Sequence, residues 1–355
     1  TRRYRITLHP QAEVSRICTN LRNANSCAGD TSVLDVDRLP DPATNVSGTS
    51  DMGDYHVLQN FVQWGIQNYP ADHYALVIWD HGSGWEPTRD SGGARAASRA
   101  IASVVDDRLP KFRRAVSQDD DTNHEIQTEE LPLALFNANL DMLIFDASLE
   151  QMIEVAYEVR DTARVMVGSE ESPPGAGYPY DAWIGALKNA AGSKNPCAIG
   201  NDIVQKFIAA YPNDTNITQS VLDLSKLPDL ATALDNFANT LRLHTLDQTT
   251  LIKNARENAQ SYAYPENKDL YHYADLIRTG VGAPADLQQA ASALQTALLG
   301  SNGAVIVALH GSLSQANSHG LAIYIPDPAS YLAAYNDLAL SRAKHWDEFL
   351  QEQAQ

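Results

Sequence analysis

Tyr74 to Trp79 (YALVIW) is a mostly apolar run without helical period, the pattern of a strand buried on both faces of a parallel sheet. It stops at Asp80-His81, and Gly82-Ser83-Gly84 follows, a turn with two residues free to take positive φ. A second run, Leu140 to Phe145 (LDMLIF), ends in Asp146-Ala147-Ser148, and from there Leu149, Met152, Ile153, Ala156 and Val159 share one face of a predicted helix. Two strands that end this way direct the chain toward an α/β fold, in which ligands bind outside the carboxyl ends of the strands. A single histidine is ordinarily structural, but as neighbours these strands would set His81 opposite Ser148. That is the layout of a base and a nucleophile. Ser148 would also lie at a helix amino terminus, where free N–H groups and the helix dipole favour an anion.

The 355 residues are enough for one large core or two modest ones. No run of about 18 apolar residues occurs, so no membrane span is expected. The formal charge of −18 argues against nucleic acid, whose binding needs a basic face, and would steer cationic peptides. An acidic surface is equally a solubility device. Cys18, Cys27 and Cys197 do not form a disulfide framework, and none lies near either motif.

In chain order, residues 2–8 read as a strand, 23–54 as loop with an extended piece at Val33–Val36, and Asp54–Tyr69 as an amphipathic helix. Trp85–Gln118 is rich in Ser, Gly, Ala and Arg and reads as a long exposed loop. Asp119, Asp120 and Asp121 precede a helix at Thr128–Asn137; three aspartates could contribute to a Ca²⁺ site, although the spacing is not an EF-hand loop and an acidic helix start explains them too. Arg164–Gly168 is the next strand, and the Pro- and Gly-rich loop after Ser169-Glu170-Glu171 would wall a cleft. Beyond residue 195, helices (Asn201–Tyr211, Leu227–His244, Thr249–Gln260, Pro284–Leu299) alternate with short strands (Gln219–Leu222, Ala304–Leu309, Gly320–Ile325). The expected division is 1–194, a catalytic domain with a loop at 86–118, and 195–355, a second α/β subdomain completing or buttressing the sheet.

NYPADHYALVIWDHGSGW from Asn68, LDMLIFDASLEQMIEVAYEV from Leu140, VGSEESPPGAGYPY from Val167 and HGLAIYIPDPASY from His319 resemble, in order, the clostripain family of cysteine endopeptidases. The resemblance implies a caspase-haemoglobinase-like fold, a mostly parallel sheet flanked by helices, and cleavage of peptides or proteins after Arg or Lys. It makes His81 the base, position 148 the nucleophile, the N–H groups of Gly82 and Ser148 the oxyanion hole, and Asp146 the acid of the specificity pocket. Ser169 and Glu170 would edge the groove, where an extended substrate adds as a strand. It further implies self-cleavage after a basic residue in the 86–118 loop, with Arg95 and then Arg99 best placed. No cofactor is required, with Ca²⁺ an option; a monomer, secreted or periplasmic, is expected, and the family normally has a strand-helix-strand segment before the equivalent of Thr1.

One departure stands out: the family nucleophile is a cysteine, and this chain has Ser148. An adjacent imidazolium and a helix terminus lower a thiol pKa to roughly 3.5–7.5, but cannot produce a resting alkoxide. A serine hydrolase needs an oriented base; no G-x-S-x-G elbow surrounds Ser148, and Asp80 should point away from His81. The surroundings otherwise match a working site, so the economical expectation is an inactive, uncut zymogen with its nucleophile replaced. The competing reading is a natural pseudopeptidase that binds peptides or proteins. A metal hydrolase using Asp80, His81 and Asp146 lacks the spaced histidines that such sites need.

Overall fold

The computed structural model describes residues 4–8, 34–38, 51–87, 114–119, 122, 124–189, 195–311 and 313–353. Residues 1–51 form one compact unit and 52–355 another. In the first, β1 (Tyr4–Leu8) and β2 (Leu34–Arg38) pair antiparallel, Tyr4 opposite Arg38 and Leu8 opposite Leu34.

The second unit is built on a five-stranded sheet. Helix α1 (Tyr55–Asn68) precedes it, started by Asp54, whose side chain accepts the His56 amide at 2.9 Å. Strand β3 (Ala75–Trp79) then leads into β4 (Gly82–Pro87), which joins β5 (Arg114–Asp119) and β6 (His124–Gln127) in a separate antiparallel sheet. After a short helix α2 (Leu131–Ala134) come β7 (Leu140–Asp146), α3 (Ile153–Val159) and β8 (Ala163–Gly168). Helices α4 (Tyr180–Asn189) and α5 (Pro196–Ala210) precede β9 (Thr218–Asp223). Then follow α6 (Leu227–Leu243), α7 (Thr249–Asn258), β10 (Asn267–Asp269), α8 (Leu270–Thr279), α9 (Ala285–Leu299), β11 (Val305–His310) and β12 (Ala322–Tyr324). Two short helices, α10 (Ala339–Ala343) and α11 (Trp346–Glu352), complete the described chain.

The sheet order is β11-β9-β8-β7-β3, with β3, β7 and β8 parallel and only β9 reversed. Beyond residue 195, β9 and β11 therefore extend the same sheet that carries the two motifs, while β10 and β12 pair antiparallel in a sheet of their own. Alternation along β7 divides the packing: Leu143 and Phe145 enter one core with α3 and α6, while Met142 and Ile144 enter another with Phe207 and Val204 of α5. Helix α6 shows why it docks, since Leu227, Leu230, Ala231, Leu234, Phe237, Ala238 and Leu241 repeat at three- and four-residue steps and are all buried.

Four expectations change. Strand β3 is not buried on both faces: Leu76 and Ile78 are buried, but Ala75 is exposed and Trp79 is 71% exposed. On that alternate face only Val77 is partly buried, packed against the core around Phe207, so the cover there is partial at both ends of the strand. The helix predicted to begin beside Ser148 starts at Ile153 instead, and all seven of its residues are buried. Leu149 has φ +66°, which breaks a helix before it starts. Likewise the helix expected at Thr128–Asn137 is a 3₁₀ turn, Thr128–Glu130, followed by the four residues of α2. Pro284 caps α9 rather than beginning it.

Candidate active site

Strands β3 and β7 run parallel with Trp79 opposite Asp146. His81 and Ser148 each follow two residues later, so the two chain segments leave the sheet side by side. A Cβ placed on Gly82 would lie 2.5 Å from the Ser148 carbonyl oxygen and 3.1 Å from the Ala147 Cβ. Only glycine allows that approach. The structure thus brings Gly82 and Ser148 together, with His81 adjoining.

His81 is exposed, and its ring makes no hydrogen bond or ion pair among the described residues. Its backbone is held on both sides: its N–H donates to Asp80 Oδ1 at 2.7 Å, and its carbonyl accepts the Ser117 amide at 3.3 Å. Asp80 therefore bonds the backbone of the next residue and does not orient the imidazole through that bond. Ser148 is half-buried.

The segment after Ser148 is fixed by backbone bonds to elements distant in sequence. Gln151 donates to the Ser169 carbonyl at 3.1 Å, and its own carbonyl accepts the Ala322 amide at 3.0 Å. Met152 forms a parallel bridge with Ala322. Residues 148–152 thus run between the end of β8 and the start of β12, and two acids, Glu150 within this span and Glu154 in α3, are turned inward. Glu150 is 1% exposed, and burial pushes its carboxyl well above the usual carboxylate range, against the opposing pull of the Gly84 and Ser83 amides. Glu154, fully buried, is raised to about 7 by desolvation, despite bonds from the Tyr324 amide and the Tyr335 hydroxyl.

Asp146 is 3% exposed, at the carboxyl end of β7. Its Oδ2 accepts the Tyr178 amide at 3.1 Å and the Tyr180 hydroxyl at 2.7 Å. Gly177 closes this loop with φ +70°, and a Cβ there would come within 2.8 Å of the same oxygen. Burial and the Asp146 charge push the Tyr178 phenol well upward. No lysine or arginine side chain bonds Asp146 among the described residues.

Ser169 and Glu170 occupy a different position from the expected rim. They are 1% and 2% exposed. Ser169 Oγ lies 3.0 Å from Thr218 Oγ1, which also accepts the Glu170 and Glu171 amides at 3.0 and 3.1 Å. The Glu170 carboxyl receives the Tyr262 hydroxyl at 2.7 Å and the Gly320 amide at 3.2 Å. Burial and the neighbouring Asp269 carboxylate raise it well above its usual range. These side chains fasten the turn after β8 to the C-terminal half and do not line an open groove.

Arg95, Arg99, Asp120 and Asp121 lie outside the described residues, as does most of the 86–118 loop. Asp119 is described, and its carboxylate accepts the amides of Met52 at 2.9 Å and Thr122 at 3.2 Å. No group of three or more His, Cys, Asp or Glu side chains suited to a metal occurs among the described residues. No described helix is long and apolar enough to cross a membrane.

Sequence reasoning did not identify Glu150, Glu154 or the Tyr178–Tyr180 clasp. Two of these acids fall within the stretch read as an amphipathic helix, where a solvated acid is the ordinary expectation. Tyr178 and Tyr180 lie in the loop read as a cleft wall, and no periodicity marks which hydroxyl turns toward Asp146.

A family model described as the Clostripain family matches residues 39–352. Clostripain from Hathewaya histolytica is 26% identical over 275 residues, which is 68% of this chain and 47% of that protein; the chain spans about half the length of this relative. An inactive zymogen C11 protease from Parabacteroides distasonis superposes with a TM-score of 0.58 at 20% identity, covering 87% of this chain and 80% of that one. A secreted C11 cysteine protease from Bacteroides thetaiotaomicron, solved with an irreversible peptide inhibitor, superposes with a TM-score of 0.62 at 20% identity, covering 89% and 83%.

Proposed function

The chain belongs to the clostripain family, and on that premise we propose that its site is that of an endopeptidase cleaving after Arg or Lys, held inactive here by serine at the nucleophile position. The observation that supports this most is the register of Trp79 with Asp146, which sends the His81 and Ser148 segments out of the sheet together. With cysteine at 148, His81 would take the thiol proton and the thiolate would attack the scissile carbonyl carbon. The resulting oxyanion would be held by the backbone N–H groups of Gly82 and residue 148. His81 would then give its proton to the leaving amine as the C–N bond breaks, leaving a thioester. Water, deprotonated by His81, would attack the thioester carbonyl, and as the C–S bond breaks the acid product leaves and the residue-148 thiolate is regenerated beside protonated His81.

Asp146 would select the residue before the scissile bond. A carboxylate removed from water binds a guanidinium or ammonium strongly, because neither charge is then well solvated. The two basic candidates for self-cleavage, Arg95 and Arg99, would be the internal substrates of the same pocket. Nothing in these steps calls for a cofactor; a role for Ca²⁺ would be structural, through Asp119 to Asp121, and would be lost on chelation. The chain would act as a secreted or periplasmic monomer on basic peptides and proteins.

A test is covalent trapping: the Ser148→Cys chain, incubated with a peptidyl chloromethyl ketone ending in Arg, should gain one adduct mass at residue 148. His81→Ala in that background should slow labelling at least tenfold. No adduct at 148 would contradict the proposal. Ser148 itself favours a second reading, a binding protein that keeps the groove without the chemistry. It predicts that the unaltered chain binds basic peptides and that Ser148→Cys neither cleaves nor labels.

A further inference from the structure

We propose that Glu150 is a positioning residue that locks the His81–Gly84 segment, the start of β4, to the segment carrying residue 148, and so sets the geometry of the base and of the Gly82 amide. This rests on the peptidase reading above.

Glu150 is two residues beyond Ser148 and 1% exposed. Its Oε1 accepts the Gly84 N–H at 3.1 Å, and the Ser83 N–H also bonds the carboxyl. A Cβ on Gly82 would come within 2.6 Å of the same oxygen. The carboxyl therefore fills the space beneath all three residues after His81. The other side of this segment is held too, since Thr128 Oγ1 donates to the Gly84 carbonyl at 3.2 Å.

A buried carboxyl without a cation is an expensive way to fill space, and no cation pairs with Glu150 among the described residues. A leucine would fill a similar volume at no such cost. What an apolar side chain cannot do is accept two backbone N–H groups. With the Ser83 and Gly84 donors turned inward, the two peptide planes that follow Gly82 have one orientation. Leu149, with φ +66°, gives the nucleophile segment the reversal that lets Glu150 reach back under the start of β4. One side chain thus couples the two loops whose relative position the chemistry needs. Displacing a reacting group by about 1 Å can cost on the order of 10²-fold in rate.

Two measurements test this in the full chain. In the unaltered Ser148 chain, hydrogen exchange at the Ser83 and Gly84 amides should quicken at least tenfold in Glu150→Ala. Glu150→Gln, which keeps an acceptor oxygen, should restore most of the protection. In the Ser148→Cys chain, Glu150→Ala should lower kcat at least tenfold with KM for a basic peptide within twofold, and Glu150→Gln should recover part of it. Should Glu150→Ala fail to fold, the Gln variant alone must show both effects in reduced form. Unchanged exchange, or an unchanged kcat in an active Ser148→Cys chain, overturns the proposal. A raised KM with constant kcat also overturns it, assigning Glu150 to substrate binding. Complete inactivity of the Ser148→Cys parent removes the peptidase reading and the positioning role together, while the exchange data then report separately on the lock.

Discussion

Trp79 and Asp146 are partners in adjacent parallel strands, and each lies two residues before a candidate reacting group, His81 on one side and Ser148 on the other. Parallel pairing keeps residues of equal offset abreast, so the equal spacing, rather than any long-range loop geometry, carries the juxtaposition. Asp146 has its side chain within the protein, clasped by Tyr178 and Tyr180, while Trp79 is mostly exposed.

Replacing Asp146 by Asn should keep the clasp, because a carboxamide oxygen still accepts from the Tyr178 amide and the Tyr180 hydroxyl. Charge complementarity to the substrate would be lost. We expect binding of an Arg-containing peptide to the Ser148 chain, measured by calorimetry, to weaken at least tenfold. The melting temperature should move by only a few degrees. Equal affinity of both proteins would remove Asp146 from specificity.

Gly82→Ala should damage the site directly. The added methyl would come within 2.5 Å of the Ser148 carbonyl oxygen and 2.6 Å of Glu150 Oε1, and backbone lies on one side. Such overpacking typically costs 1–3 kcal/mol, about that range here. Urea unfolding of the Ser148 chain would read the stability loss, and in the Ser148→Cys chain kcat should fall well beyond it. A Gly82→Ala, Ser148→Cys chain as active as its Ser148→Cys parent would contradict the close approach.

Glu154 predicts a pH dependence with a definite sign. Its folded pKa is about 7 against an ordinary 4.5, because burial penalises the anion. The stabilisation associated with the protonated group is fully present below about pH 4.5 and is lost as pH rises through about 7. The loss attributable to this residue is about 3 kcal/mol. Among the described residues one carboxyl oxygen of Glu154 has no hydrogen-bond partner, nor does the indole N–H of Trp85, which packs edge-on against Tyr324 and Tyr335. Glu154→Gln should remain folded and show a flatter decline in urea midpoint between pH 5 and pH 8 than the parent. Parallel declines in the two proteins would show that Glu154 does not titrate there.

Tyr262→Phe tests the structural role assigned to Glu170. The hydroxyl donates to Glu170 at 2.7 Å and contacts Ser318 Oγ at 3.1 Å, inside a group that includes Asp269 and His319. Its removal leaves a buried carboxyl short of a donor, costing about 1–3 kcal/mol by denaturant titration. A change within experimental error would mean that water or rearrangement replaces the bond.

The strands were legible because their signal is local. LDMLIF is apolar throughout and becomes the central, doubly covered strand, and the four-residue spacing in Leu227–Leu243 becomes the buried stripe of its helix. YALVIW gave the same signal but forms β3, with Ala75 and Trp79 exposed, because apolar content does not encode how many layers cover a strand. His81, Gly82, Asp146 and Ser148 could be singled out by their place at strand ends. The inward turn of Glu150 and Glu154 was not legible, since it follows from the left-handed Leu149 and from contacts with Gly84 and Tyr324 far along the chain. Ser169 and Glu170 were expected at a rim for a related reason: polar residues after a strand are normally solvated, and only the approach of Thr218, Tyr262 and Gly320 buries them.

The most direct measurement is a cleavage assay that compares this chain with its Ser148→Cys variant on peptides carrying Arg, Lys or Asp before the scissile bond, with the protein's own integrity followed on gels. Only the Cys form should cut, after Arg and Lys but not Asp, and it should also cut itself between residues 86 and 118. A folded Cys form that leaves both the peptides and its own chain intact, with Ca²⁺ supplied, would contradict the peptidase reading.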